Sequence, residues 1–196
     1  MMKGQDRMST VNTKKWVERF VERCRAQKGL LKQPDIIQRE VICKPLQNFF
    51  PERPMEEIQY LLLPYGMFKA KEWRQLQDTL KQMENNRIWN IVDQEIKYLK
   101  RIWKGPNVPV FIFPITNAHL SSERRPFRKN GVAFEKALFL FVAPDLPENE
   151  IKALLAHEYN HLCRLKKIKQ GMDELTLEES VIIEGLGEYA VQELYG

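Results

Sequence analysis

The sequence predicts an α+β protein in which a helical N-terminal half, residues 1–104, precedes a small β-sheet and two closing helices in residues 105–196. Three observations carry that expectation. Apolar residues recur at helical spacing as far as Trp103, two short β-branched and aromatic runs follow Gly105-Pro106, and a second helical periodicity begins beyond Pro147. The two regions could also pack as a single domain, because 196 residues with 43% hydrophobic content suffice for one sizeable core.

In the first half, Trp16, Phe20 and Cys24 repeat at helical spacing, as do Ile88, Val92, Ile96, Leu99 and Trp103. Pro34, Pro45, Pro51, Pro54 and Pro64 punctuate the stretch between them, so four or five helices are expected there. Val108–Pro114 and Ala137–Val142 are short and rich in strand-forming residues. Residues 117–131 between them read as a polar, arginine-rich loop, and Gly131–Phe134 as an exposed strand edge or an ordinary hairpin arm. Asp145, Pro147 and Glu148 are residue types of a helix N-terminus, and basic residues near Lys167 or Lys169 suit its negative dipole end. Gly171 marks a turn, and the last helix is expected to begin near Leu175.

The first of these closing helices carries His157-Glu-Tyr-Asn-His161. At about 100° per helical residue the two imidazoles stand about 40° apart and one turn along, so both can reach one metal ion. Ile151, Leu154, Leu155, Leu162 and Leu165 share one apolar sector, and Glu158 falls near its middle. A carboxylate there is poorly hydrated, and an unpaired buried charge costs several kcal/mol. Glu158 therefore needs a partner or a task. A bare His-Glu-x-x-His pattern arises by chance on the order of once per few hundred chains of this size, so a second signal is needed.

That signal is Val181-Ile-Ile-Glu-Gly-Leu-Gly-Glu188. Glu184 follows His161 after 22 intervening residues, enough for a helix end, a turn and part of a second helix that returns a carboxylate to the metal. Two histidines and a glutamate form the three-ligand set of open catalytic zinc sites; closed structural sites want a fourth protein ligand, and no cysteine cluster supplies one. Glu188, one turn further on, reads as the acceptor for the other ring N–H of His157. It could instead be the true third ligand or a solvated glutamate. Gly185 and Gly187 are poor helix formers, which points to close packing of this helix on its neighbour or to a frayed terminal helix.

The net charge of +5 hides a polarised chain. Residues 1–50 hold eleven Lys or Arg against five Asp or Glu, whereas residues 172–196 hold seven acids and no base, an arrangement that favours a cation near the C-terminal helix. The basic half could meet nucleic acid or an acidic partner, but no recognition motif accompanies the charge, so a solvated face is the plainer reading. Cys24, Cys43 and Cys163 are odd in number and without framework spacing, which indicates a reducing compartment; Cys163 reads as a structural thiol. The N-terminus lacks an apolar signal segment, and the run Ala137–Ala143 is far shorter than the about 20 residues that span a membrane. A soluble cytoplasmic protein is expected; nothing in the sequence indicates its oligomeric state.

At the residues just quoted the chain resembles the gluzincin metallopeptidases, in which His-Glu-x-x-His is followed by a glutamate ligand on a second helix. Glu184-Gly-Leu-Gly-Glu-Tyr-Ala190 is similar to the Glu-Gly-Phe-Ala stretch of the aminopeptidase branch. The pair Glu184 and Glu188 is similar to the ligand and acidic partner of thermolysin-like enzymes, which use Asp where Glu188 stands. Ala156-His-Glu-Tyr-Asn-His-Leu-Cys-Arg164 with Ile182-Ile-Glu-Gly-Leu186 resembles more closely the bacterial YjaZ-like zinc-dependent proteases, over residues 105–196.

The resemblance implies a zincin-type catalytic region there, zinc held by His157, His161 and Glu184, and a peptide or protein substrate. It also implies that Glu158 is the general base, taking a proton from zinc-activated water and passing it to the leaving amine. The oxyanion would need a further donor; His119, Tyr195 and the Arg124-Arg125 pair are candidates without positional support. The alternative is a zincin-fold protein, weak or inactive in catalysis, that acts as a regulatory or binding module through its basic helical half. A helical protein with a chance motif would hold no stoichiometric zinc.

Overall fold

In a computed structural model that describes residues 10–27, 33–116, 127–168 and 175–196, the apolar periodicities of the first half become buried helix faces. Helix α1 (Thr13–Ala26) starts at Asn12, whose side chain accepts a hydrogen bond from the Lys15 N–H, and buries Val17, Phe20, Val21 and Cys24. Helix α2 (Pro34–Gln38), a π-helical stretch (Arg39–Cys43) and α3 (Lys44–Leu46) follow one another without a break. Then come α4 (Met55–Leu62), a 3₁₀ turn (Ala70–Glu72), α5 (Trp73–Asn85) and α6 (Ile88–Trp103). With the unbroken α2–α3 run taken as one rod, the described residues form five rods where four or five were expected. Ile88, Val92, Ile96 and Leu99 of α6 are buried, and Trp103 stacks on Tyr159.

Strands β1 (Val110–Pro114), β2 (Lys129–Phe134) and β3 (Ala137–Val142) form one sheet in the order β1-β3-β2, with β1 parallel and β2 antiparallel to β3. β1 and β3 are buried along their whole length, which is why they read as continuous apolar runs rather than alternations. The expected loop over 117–131 ends earlier: Lys129, Asn130 and Gly131 already belong to β2, paired with Val142, Phe141 and Leu140. A polar outer strand is tolerated there because one of its edges stays unpaired among the described residues. Residues 117–126 of that loop lie outside the described residues.

The register sorts the sheet into two faces. Phe111, Phe139 and Val132 lie side by side, and Phe111 and Phe139 take contacts from Trp16, Phe49 and Phe50 of the first half. Leu138 and Leu140, paired with Ala133 and Gly131, turn to the other face. That face meets helix α7 (Glu148–Ile168), which also packs along α6. Helix α8 (Leu177–Tyr195) lies on α7.

The start of α7 needs one correction. Asp145 is not its cap; the carboxylate accepts a hydrogen bond from Arg128 at 2.6 Å, which holds its pKa below the ordinary range. Glu148 and Glu150 occupy the first turn and Lys166 and Lys167 the last, as the dipole favours. α8 begins at Thr176, whose hydroxyl accepts from the Glu179 N–H while the Glu179 carboxylate accepts from the Thr176 N–H. No helix among the described residues is long and apolar enough to cross a membrane.

Candidate metal centre

The helical spacing of the motif becomes geometry on α7. Its core side carries Ile151, Leu155, Tyr159 and Leu162, with the Tyr159 hydroxyl donating to the Pro106 carbonyl at 3.1 Å. The adjoining side turns His157, Glu158 and His161 toward β2 and α8. His161 is buried and His157 nearly so.

α8 brings the carboxylates. Glu184 Oε2 lies 3.2 Å from His157 Nε2, Glu184 Oε1 lies 3.4 Å from His161 Nε2, and the two Nε2 atoms are 2.9 Å apart. Four donors at about 2.0–2.1 Å from a tetrahedral zinc stand about 3.3 Å from one another. The Glu184 contacts use different carboxylate oxygens, and one donor atom from each of the three residues lies within 4.8 Å of the others, so the residues can converge on such an ion. The donor types fit as well, being two imidazoles and one carboxylate. Burial, and next the neighbouring His157, push the pKa of His161 down, which favours the neutral ring a metal requires. Its Nδ1 is buried without a hydrogen-bond partner among the described residues.

Glu188 Oε1 sits 3.2 Å from His157 Nδ1, on the side of the ring away from the cluster of Nε2 atoms. The two glycines of α8 differ. A Cβ on Gly187 would stand 3.0 Å from His157 Cε1 and Nδ1 and 3.2 Å from His161 Cε1, tight enough that the rings would have to give by a few tenths of an ångström. A Cβ on Gly185 would meet nothing within 4 Å. The expected close packing therefore holds for Gly187 and fails for Gly185, which faces outward.

Glu158 is 7% exposed and takes no hydrogen bond or ion pair from the described residues. Burial first, and the Glu184 carboxylate second, push its pKa up to about 8. The carboxyl borders a cleft of about 230 Å³ lined by Lys129 and Asn130 of β2, Leu154 and His157 of α7, and Glu188 and Val191 of α8. Lys129 and Asn130 escape a reading of the sequence because only the β2–β3 register brings them here.

Of the proposed oxyanion donors only Tyr195 lies among the described residues, and it is engaged away from this cleft. The Tyr195 hydroxyl donates to the buried Glu95 at 2.6 Å and so ties the end of α8 to α6. His119, Arg124 and Arg125 lie outside the described residues. Burial raises the Cys163 thiol to about 11, and it takes no place in the cluster.

A helix pair carrying a His-His-Glu cluster, with a buried glutamate beside it and a small sheet alongside, is a candidate metal centre. The chain belongs to the family described as "Predicted Zn-dependent protease (DUF2268)", whose model matches residues 88–196 and so takes in α6 as well as the sheet and both closing helices. It is also 36% identical over 133 residues to "Uncharacterized protein YjaZ" of Bacillus subtilis (strain 168), covering 67% of this chain and 50% of that protein. The chain thus spans about half the length of the curated relative it matches. No solved structure matches it.

Proposed function

We propose that the protein hydrolyses peptide bonds with zinc held by His157, His161 and Glu184 in a gluzincin-like catalytic region. The observation that carries this reading is the convergence of three donors beside Glu158, a buried carboxyl with no structural partner among the described residues. When bound, zinc would acidify a water molecule and polarise the scissile carbonyl. Glu158 accepts the proton at its carboxylate and returns it to the leaving nitrogen. Glu188 accepts the Nδ1–H of His157 and thereby fixes the tautomer that leaves Nε2 free to bind. The outer edge of β2 runs beside the cleft and can take an extended peptide through main-chain hydrogen bonds.

The test is metal content and cleavage of a peptide library by wild type, Glu184→Ala and Glu158→Gln. We expect about one zinc per chain in wild type, as one three-ligand site implies, loss or strong weakening in Glu184→Ala, and a zinc-loaded but inactive Glu158→Gln. A well-folded wild type without zinc would overturn the proposal. A biological activity untouched by Glu158→Gln would favour a binding module instead.

A further inference from the structure

The geometry points to Gly131 as the residue that sets the position of the Glu158 carboxylate, an inference that rests on Glu158 being the proton carrier. Gly131 lies inside β2, opposite Leu140, and its backbone is not in the left-handed region that calls for glycine. A glycine within a strand packs nothing and loses more freedom on folding than any other residue. Something else must justify it. On the same face of the strand its neighbours make contacts: Ala133 is buried, and the Lys129 ammonium lies 3.4 Å from Glu150 of α7.

The occupant of the space above Gly131 is Glu158. A Cβ at residue 131 would stand 2.4 Å from Glu158 Cγ and 2.7 Å from both Cδ and Oε1. Carbon atoms rest about 3.5–4.0 Å apart, so any side chain there would push Glu158 by about 1 Å or more. The clash falls on Cγ, near the root of the side chain, so the carboxylate has to move with it. Bare backbone at residue 131 is thus the wall against which Glu158 rests. Gly131 is a positioning residue, acting only through Glu158.

A double-mutant cycle tests this without need of activity. Thermal unfolding is measured on chelated wild type, Gly131→Ala, Glu158→Ala and the double variant. We expect Gly131→Ala to lower the Tm when Glu158 is present, and to leave it unchanged or raise it when residue 158 is Ala and the space is free. Equal shifts in both backgrounds overturn the inference. If Gly131→Ala alone does not fold, a folded double variant supports the inference and an unfolded one overturns it.

In the zinc-loaded protein, on a peptide that wild type cleaves, Gly131→Ala should lose about a hundredfold in kcat, the cost of a misplacement near 1 Å, with KM and zinc content retained. A wild-type kcat would overturn the assignment. A chain that cleaves nothing, yet shows the coupling in Tm, would sink the proposed function while upholding the placement of Glu158 by Gly131.

Discussion

Glu158 was conspicuous in the sequence because it interrupts an apolar sector, and the structure gives that interruption a cost. In the folded, metal-free chain burial keeps its carboxyl protonated up to about pH 8, whereas in the unfolded chain it ionises near its ordinary value of 4.5. Between those values the folded state holds a proton that the unfolded state has released, so stability falls as pH rises. The contribution is complete below about pH 4.5 and lost by about pH 8, a matter of several kcal/mol at one pKa unit per about 1.4 kcal/mol. Urea unfolding of the chelated protein should therefore show Glu158→Gln gaining on wild type from pH 5 to pH 8. A constant difference would mean that the carboxyl is hydrated and charged in the folded chain. At this scale the sequence was legible wherever a single helix sets the geometry, as for His157 and His161. It was silent on Lys129 and Asn130, whose place depends on strand register, and on the hydroxyl of Tyr195, which goes to Glu95.

The helices illustrate how far local pattern reaches. Periodicity located α1, α6 and α7 because each buries one face, whereas α8 was expected only to begin near Leu175, and its start behind the Thr176 cap is seen in the structure. The polar start of β2 carried no alternation to read, so it passed for loop until pairing with β3 revealed it. The two glycines of α8 look alike in sequence, and only their neighbours distinguish them. Gly187→Ala should press on both histidine rings and weaken zinc binding about tenfold or more, the range seen when the surroundings of metal ligands are disturbed. Gly185→Ala meets open space within a helix and should stabilise by about 0.5–1 kcal/mol with zinc affinity unchanged. Competition against a zinc-binding dye, together with urea unfolding of the two variants, measures both effects. Equal zinc affinities would show that α8 does not lie as close to the rings as described.

Across the whole molecule the apolar core is distributed unequally, and α8 holds a small share for its 19 residues. α7 buries ten residues and α8 only Ile183 and Gly187, while Leu177, Val181, Ile182 and Tyr189 of α8 are exposed. With about 25 cal/mol per Å² of apolar burial as the main source of cohesion, such a helix is weakly held by packing alone. Beyond the partly buried Val191, Leu194 and Tyr195, its ties are polar: Tyr195 on Glu95, and the carboxylates of Glu184 and Glu188 at the histidines. Five acids and no base along α8 add self-repulsion that a bound cation would relieve. A ligand that joins Glu184 to the α7 histidines therefore stabilises this helix more than the sheet, whose strands β1 and β3 are already buried throughout. Hydrogen exchange on the chelated protein should show the amides of α8 exchanging well before those of β1, β3 and α6. Added zinc should slow α8 selectively. Protection rising equally in all elements would mean that α8 opens only when the whole chain unfolds, and that its cohesion comes from contacts other than the His-His-Glu cluster.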